Sequence, residues 1–512
     1  MKGSTAMKRS SRFTVALAGG VVGLLGAGSA VLAAAPGSSS EPVELSLLDN
    51  SIRGGKNERA AIWIEDELIP AFEAEMEAAG TPVEVSFEGQ GVDDEDYKTQ
   101  MALDLGSGEG PDVMSIDGIW VGEFATAEYI RPLTDVVGPE VEDWEGWAQI
   151  NEAVQANGMF EGARYGIPQG TDGWVIYFNK DIFAAAGLPE DWQPATIEEV
   201  LEAARTIKEA QPDVIPIQLN GGVSMGEATT MQGALPLLAA AGSPVYDEEA
   251  GLWTGANEDM IEMLGTYATI YGDEQLGDAD MQLLQDGRDR SFEAFANGEV
   301  GMLIEGDYFW RSVVHPDPEQ ALFPMENRDE VVGWAIIPAY EPGGALGGLD
   351  GASMSGGGVW TMNPDTEHPA EAWQLLTFMN SAEQVTAGLG GQPRITNRED
   401  VNAEVLADDP MLSFMAEEAL PLTHFRPGLA EYPQVSVALQ EAVESVVTGT
   451  SPEDAAAAYQ AALEEIVGAD AIAGADAATG TDAAPGTDAA TGTDAVPGTE
   501  TAGTDAVATT AG

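Results

Sequence analysis

A chain of 512 residues with 44% hydrophobic side chains and 11 tryptophans is too long for one ordinary core and carries enough apolar material for two. It contains no cysteine, which excludes disulfides, thiolate metal sites, cysteine nucleophiles and the lipid-bearing cysteine of a lipoprotein. Its net charge of −67 repels nucleic acid and anionic lipid, so neither is expected as a partner.

At the start, Lys2, Lys8, Arg9 and Arg12 precede an apolar run from Thr14 to Leu32 that ends in Ala33, Ala34 and Ala35. This pattern predicts a signal peptide over residues 1–35 and an exported, periplasmic or extracellular, mature chain without a lipid anchor. The alternative is an uncleaved membrane anchor, since the run is nearly long enough to span a bilayer; its five glycines and small-residue end favour cleavage. Cleavage removes four of the 20 basic residues and none of the 87 acids, leaving a net charge of −71. Such acidity suits a salty habitat, where self-repulsion is screened, and equally keeps a protein soluble in dilute medium.

Strands and helices then alternate. Val43 to Leu48 reads as a strand, and Glu58 to Ala79 as an amphipathic helix with Ile62, Ile64, Leu68, Phe72 and Met76 near helical spacing. Val83 to Phe87 alternates as a second strand, Tyr97 to Leu105 suits a helix, and Asp112 to Ile116 a third strand. Further helices are expected at 181–186, 197–210, 260–271, 370–379 and 433–447. The order predicts an α/β fold with a mostly parallel sheet. From Gly468 glycine recurs every six residues in a Gly-Thr-Asp-Ala-Ala pattern too poor in large aliphatics to fill a β-helix, so 468–512 is expected to be disordered, as a spacer, a carrier of sugars or a tail without function, and the folded part to end near Val467.

Certain segments recur in a recognisable order. They are Gly110-Pro-Asp followed by a strand and Trp120, Tyr165-Gly-Ile-Pro168, Val175 to Asp181, Ala186-Gly-Leu-Pro189, Phe295 to Met302, Gly306-Asp-Tyr308, Val332 to Pro338, Ser355-Gly-Gly, His368 to Trp373 and Gly449 to Ala455. In that order, over roughly Val43 to Val467, the chain resembles the extracellular solute-binding proteins of sugar ABC importers, the maltose-binding-protein-like family. The resemblance implies a class II, periplasmic-binding-protein-like fold whose two lobes enclose a ligand cleft. By that analogy lobe 1 takes 41–167 and 334–388, and lobe 2 takes 168–333 and 389–467, with crossings near Ile167, Gly333 and Gly388. It further implies a small-molecule sugar as ligand, a membrane ABC permease as partner, and a monomer.

A sugar site needs aromatic faces for C–H patches and carboxylates, amides or arginine for hydroxyls. Open α/β sheets bind ligands at strand ends. Candidates there are Asn50 and Asn57 after the first strand, Asp117 and Trp120 after the third, Asp172 and Trp174 beside a crossing, and Gln232 before a helix. Ser355, Gly356, Arg426 and Tyr432 complete the set. The resemblance puts Asp172 at a ligand-binding carboxylate and Tyr308 at a stacking aromatic, with Trp310 in the same aromatic run. Each has a plainer alternative: at least one ring of Tyr308, Phe309 and Trp310 belongs to the core, Trp120 can be packing, Arg426 can pair with one of many acids, and the two asparagines can cap the next helix.

Catalysis finds little support. No spacing singles out a carboxylate pair, and His315, His368 and His424 are isolated, without a zinc motif or a nucleophile elbow. No cofactor or metal is expected. A secreted polysaccharide-degrading enzyme is the competing reading, and a polyamine or other non-sugar the competing ligand; a phosphorylated sugar is disfavoured by the few basic residues expected near the cleft.

Overall fold

In a computed structural model of the chain, residues 42–473 are described, apart from position 273 and the side chain at 95. The expected signal peptide and most of the expected tail lie outside the described residues. The first strand runs Val43–Asp49 and pairs in parallel with Val83–Gly89 and Val113–Asp117. Gly358–Met362 joins antiparallel beside the third strand, and Gly166–Pro168 closes the sheet. The long helix is present as Glu58–Trp63 and Ile69–Ala79 joined by a wide turn at Ile64–Leu68. Ile64, Leu68, Phe72 and Met76 are buried beneath it as the periodicity predicts, whereas Ile62 points outward.

A second sheet has the order Met302–Gly306, Trp174–Asn179, Val332–Ala335, all antiparallel. Next to it lie Ile337–Pro338, Gly351–Met354 and Thr423–His424. The Ser353 hydroxyl ties this group to the second sheet, bonding both the N–H and the carbonyl of Trp174 at 2.8 and 3.0 Å. Helices Ile197–Ala210, Leu235–Ala241, Glu258–Tyr271, Tyr432–Val447 and Pro452–Val467 share one core with these strands.

Two boundaries differ from expectation. Val332–Ala335 pairs with Trp174–Asn179, so 334–354 belongs with the second sheet; the chain passes back to the first sheet at 355–357, not near Gly333. The order also continues past Val467, because Ile472 bridges to Trp253 and is 3% exposed in the second core. That isoleucine is the one large aliphatic of the early repeat, and its burial holds the segment down.

The two passages between sheets, 169–173 and 355–357, lie against each other. Gly357 has a φ of +129°, and a Cβ there would stand 2.9 Å from the Gly170 carbonyl oxygen, so the close approach requires glycine. Both passages sit at the edge where Asp49 and Asp117 end their strands, since Gly358 is in register with Asp117.

Candidate functional site

Asp172 occupies the first passage. Its Oδ1 accepts the Gly356 N–H at 2.8 Å and the Ser355 hydroxyl at 3.1 Å, and Ser355 Oγ also lies 2.8 Å from Thr171 Oγ1. Burial pushes the Asp172 carboxyl up to about 6; nearby Asp307 adds to this, while the two hydrogen bonds and Arg394 oppose it. Asp307 is itself buried and paired with Arg311 at 2.8 Å.

These groups border a cavity of about 630 Å³. Its walls come from the start of the long helix (Asn57 to Ala60 and Trp63), the two passages, Trp360 on the first sheet, and the segment from Met379 to Thr396. Asp49, at the end of the first strand, also lines it, and burial raises its carboxyl. The loop 388–396 folds onto the helix: Arg59 donates to the Leu389 carbonyl and to Gln392, and a Cβ on Gly388 would touch the Trp63 ring at 3.4 Å.

The expected site residues fall into separate groups. Asp172, Gly356 and Asn57 line the cavity, and Ser355 holds Asp172 from behind. Asn57 and Asn50 do not cap the helix. Asn57 Nδ2 donates to the Asn50 carbonyl, and Asn50 clamps Val92 and Asp94, so the pair ties two loops together.

Asp117, Arg426 and Tyr432 form a second group with Glu227. Arg426 Nη1 is 3.4 Å from Glu227 Oε2, and the Tyr432 hydroxyl donates to the same oxygen at 3.1 Å. Burial raises the Asp117 carboxyl, and Arg426 opposes that. A Cβ on Gly356 would lie 3.8 Å from Arg426, so this group also approaches the second passage.

Trp174 and Gln232 form a third, and Tyr308 stands in a fourth. With the Gln232 amide oriented by its neighbours, it accepts the Trp174 indole N–H at 3.0 Å and donates to the Ala228 carbonyl at 3.0 Å. Both residues are buried, so their polar atoms serve each other. The Tyr308 hydroxyl meets Glu305 and Arg288, and Arg288 grips Glu305 through two nitrogens.

Two aromatics belong to packing. Trp310 is 3% exposed, carries the Arg328 guanidinium 3.5 Å above its ring and donates its indole N–H to Asp409. Trp120 is buried between Tyr97 and Phe124. In both positions the apolar ring area outweighs any use as an open platform.

Sequence reasoning missed Arg59, Trp63, Arg311, Trp360 and Arg394, all of which line the cavity. A usable signal was the scarcity of cations: twelve arginines fall between residues 42 and 473, and three of them meet here. Among the described residues no group of side chains could hold a metal ion, and no helix is long and apolar enough to cross a membrane.

Residues 63–386 match the family model described as bacterial extracellular solute-binding protein. A protein of Brucella abortus (strain 2308) that carries the name of a binding protein, with no ligand stated, is 22% identical over 440 residues, spanning 85% of this chain and 94% of that one. The fold is that of class II periplasmic binding proteins. The cyclic α-maltosyl-1,6-maltose binding protein of Arthrobacter globiformis superposes with a TM-score of 0.64 at 20% identity, over 84% of this chain and all of that one. The sugar-binding protein MalE of Xanthomonas citri gives 0.65 at 18%, over 83% and 97%. With the model matching well over half of its length and the two-sheet fold in agreement, the chain belongs to the bacterial extracellular solute-binding protein family.

Proposed function

We propose that this protein is an extracytoplasmic receptor that binds a carbohydrate, an oligosaccharide, between two lobes and delivers it to an ABC permease without chemical turnover. The lobes would be 42–168 with 358–388, and 169–354 with 398–473, acting as a monomer. The observation that carries the reading is the cavity at the passages, where one fixed carboxylate, Asp172, stands among arginines and the half-buried Trp63 ring. Its volume is within the roughly 300–1,000 Å³ usual for small-molecule sites. Aromatic faces beside paired hydroxyl acceptors are what a pyranose requires. The sugars bound by the Arthrobacter and Xanthomonas proteins support the same class. Because both lobes would touch the solute, binding shifts an open–closed equilibrium toward closed.

A thermal-shift screen against mono- and oligosaccharides, polyamines and peptides, at low and molar salt, tests this. A ligand at 100 times its Kd should stabilise the fold by about 2.7 kcal/mol. Response to a sugar class with no release of new reducing ends is the expected result. Response to a non-sugar alone, or turnover, overturns it.

A further inference from the structure

The cavity contains polar groups that the protein leaves unused. Trp63 Nε1, Gln169 Nε2 and Gln384 Oε1 are buried and find no partner among the described residues, and all three side chains line this one space. Natural proteins leave few such atoms, because each forfeits its solvation. Two of the three are donors. Arg394 adds more: its side chain is exposed to the cavity and makes no ion pair with a described carboxylate, whereas the other cavity arginines are engaged, Arg311 by Asp307 and Arg59 by Leu389 and Gln392.

In a chain with 87 acids and 20 basic residues, an arginine without an ion pair in the same cavity as two idle donors is unusual. The cavity's own acids compete weakly for it. Asp172 already accepts two hydrogen bonds, Glu58 accepts the Gly54 N–H at 2.7 Å, and Asp49 is held at the strand end, where burial disfavours its charge. A neutral sugar would leave the Arg394 guanidinium without a directly hydrogen-bonded anion in a space the sugar closes off from water, with the field of Asp172, whose charge burial already disfavours, as its nearby compensation. A dianion would be repelled twice as strongly as a monoanion by Asp49, Glu58 and Asp172, which line the same cavity. One planar monoanion matches the guanidinium fork and the two N–H donors.

We propose that the ligand is an acidic saccharide, one bearing a uronic-acid carboxylate, and that Arg394 takes this carboxylate with Trp63 Nε1 and Gln169 Nε2 as further donors. The inference rests on the receptor reading above and narrows it.

Titration calorimetry on the exported full chain tests it, with short oligomers of galacturonate, mannuronate and glucuronate, the methyl esters of the same oligomers, neutral di- and trisaccharides, and hexose 6-phosphates. One uronate oligomer should bind at least tenfold tighter than its ester, with an advantage that shrinks as salt rises. Arg394→Gln should erase that advantage, weakening the acid at least tenfold and the ester by clearly less, and leave the thermal midpoint of the empty protein unchanged, since the side chain is exposed. Equal affinity for acid and ester, binding of neutral sugars alone, or indifference to Arg394→Gln overturns the inference while the receptor reading stands. Tighter binding of a hexose phosphate overturns the choice of carboxylate. Silence across every saccharide overturns both.

Discussion

Two groups of polar side chains meet where the chain passes between its sheets, and they differ in how completely they satisfy one another. Around Glu227, the Arg426 guanidinium and the hydroxyls of Tyr432, Ser436 and Thr230 all converge on one carboxylate, with Asp117 facing Arg426. In the cavity that Asp172 lines, by contrast, the Trp63 indole N–H and the Gln169 amide nitrogen find no hydrogen-bond partner among the described residues, and Arg394 makes no ion pair with a described carboxylate. A closed network contributes stability and fixes geometry, whereas an open one costs stability in the empty protein and returns it when a ligand supplies the missing partners. The two should therefore respond oppositely to mutation.

The largest effect is expected on the closed side. Arg426→Met leaves Asp117 without its opposing cation and Glu227 without one of its donors; it should lower stability by about 2 kcal/mol, less than a fully buried pair because Glu227 is partly exposed, and change ligand affinity less than threefold. Denaturant unfolding and titration calorimetry together read both. A tenfold loss of affinity with stability intact would instead move Arg426 to the ligand.

On the open side the next effect is a pH dependence. The Asp172 carboxyl is raised from 3.8 to about 6 in the folded state. The native protein thus binds more protons than the unfolded chain between those values, and Asp172 favours folding below about 3.8 and progressively less as pH rises through 6. Relative to Asp172→Asn, the wild type should gain about 1–2 kcal/mol as pH falls from 7.5 to 4. The pair must be compared directly, because Asp307, Arg311 and Arg394 surround the group and the chain carries many other carboxylates. A gap independent of pH would mean that water reaches Asp172 freely. Asp172→Ala comes next: ligand affinity should fall at least about tenfold, roughly 1.4 kcal/mol, with the empty protein's thermal midpoint nearly unchanged, since two lost hydrogen bonds offset one relieved burial.

How far the sequence revealed these regions depends on what each residue needs. The strand Val43–Asp49 and the helix Ile197–Ala210 were legible because their apolar periods are local properties. Ile62 kept the period of its helix yet faces outward, because spacing marks a face but not its edge. Val332–Ala335 was legible as a strand but not as a neighbour of Trp174–Asn179, since pairing partners are set by tertiary packing. Asp172 stood out as an acid in a glycine-flanked turn. Arg394 did not, because its place depends on a loop that folds back onto Arg59 across 333 positions. Trp310 misled because three adjacent aromatics carry no sign of which ring turns inward.

The smallest change isolates one atom of the open group. Trp63→Phe keeps an aromatic face against Gly388 and removes the indole N–H, a donor that is buried without a partner among the described residues. Removing an unsatisfied buried donor relieves its desolvation cost, and the smaller ring loses some packing, so the two terms nearly cancel in the empty protein. With ligand bound the balance changes, because only the wild type can form the bond, and a hydrogen bond to a charged acceptor contributes about 1–1.5 kcal/mol at this kind of site. The variant should therefore unfold within about 0.5 kcal/mol of wild type when empty and bind roughly five- to tenfold more weakly. If affinity is untouched, the indole N–H does not face the ligand, and the contrast between the two groups reduces to the carboxylate alone.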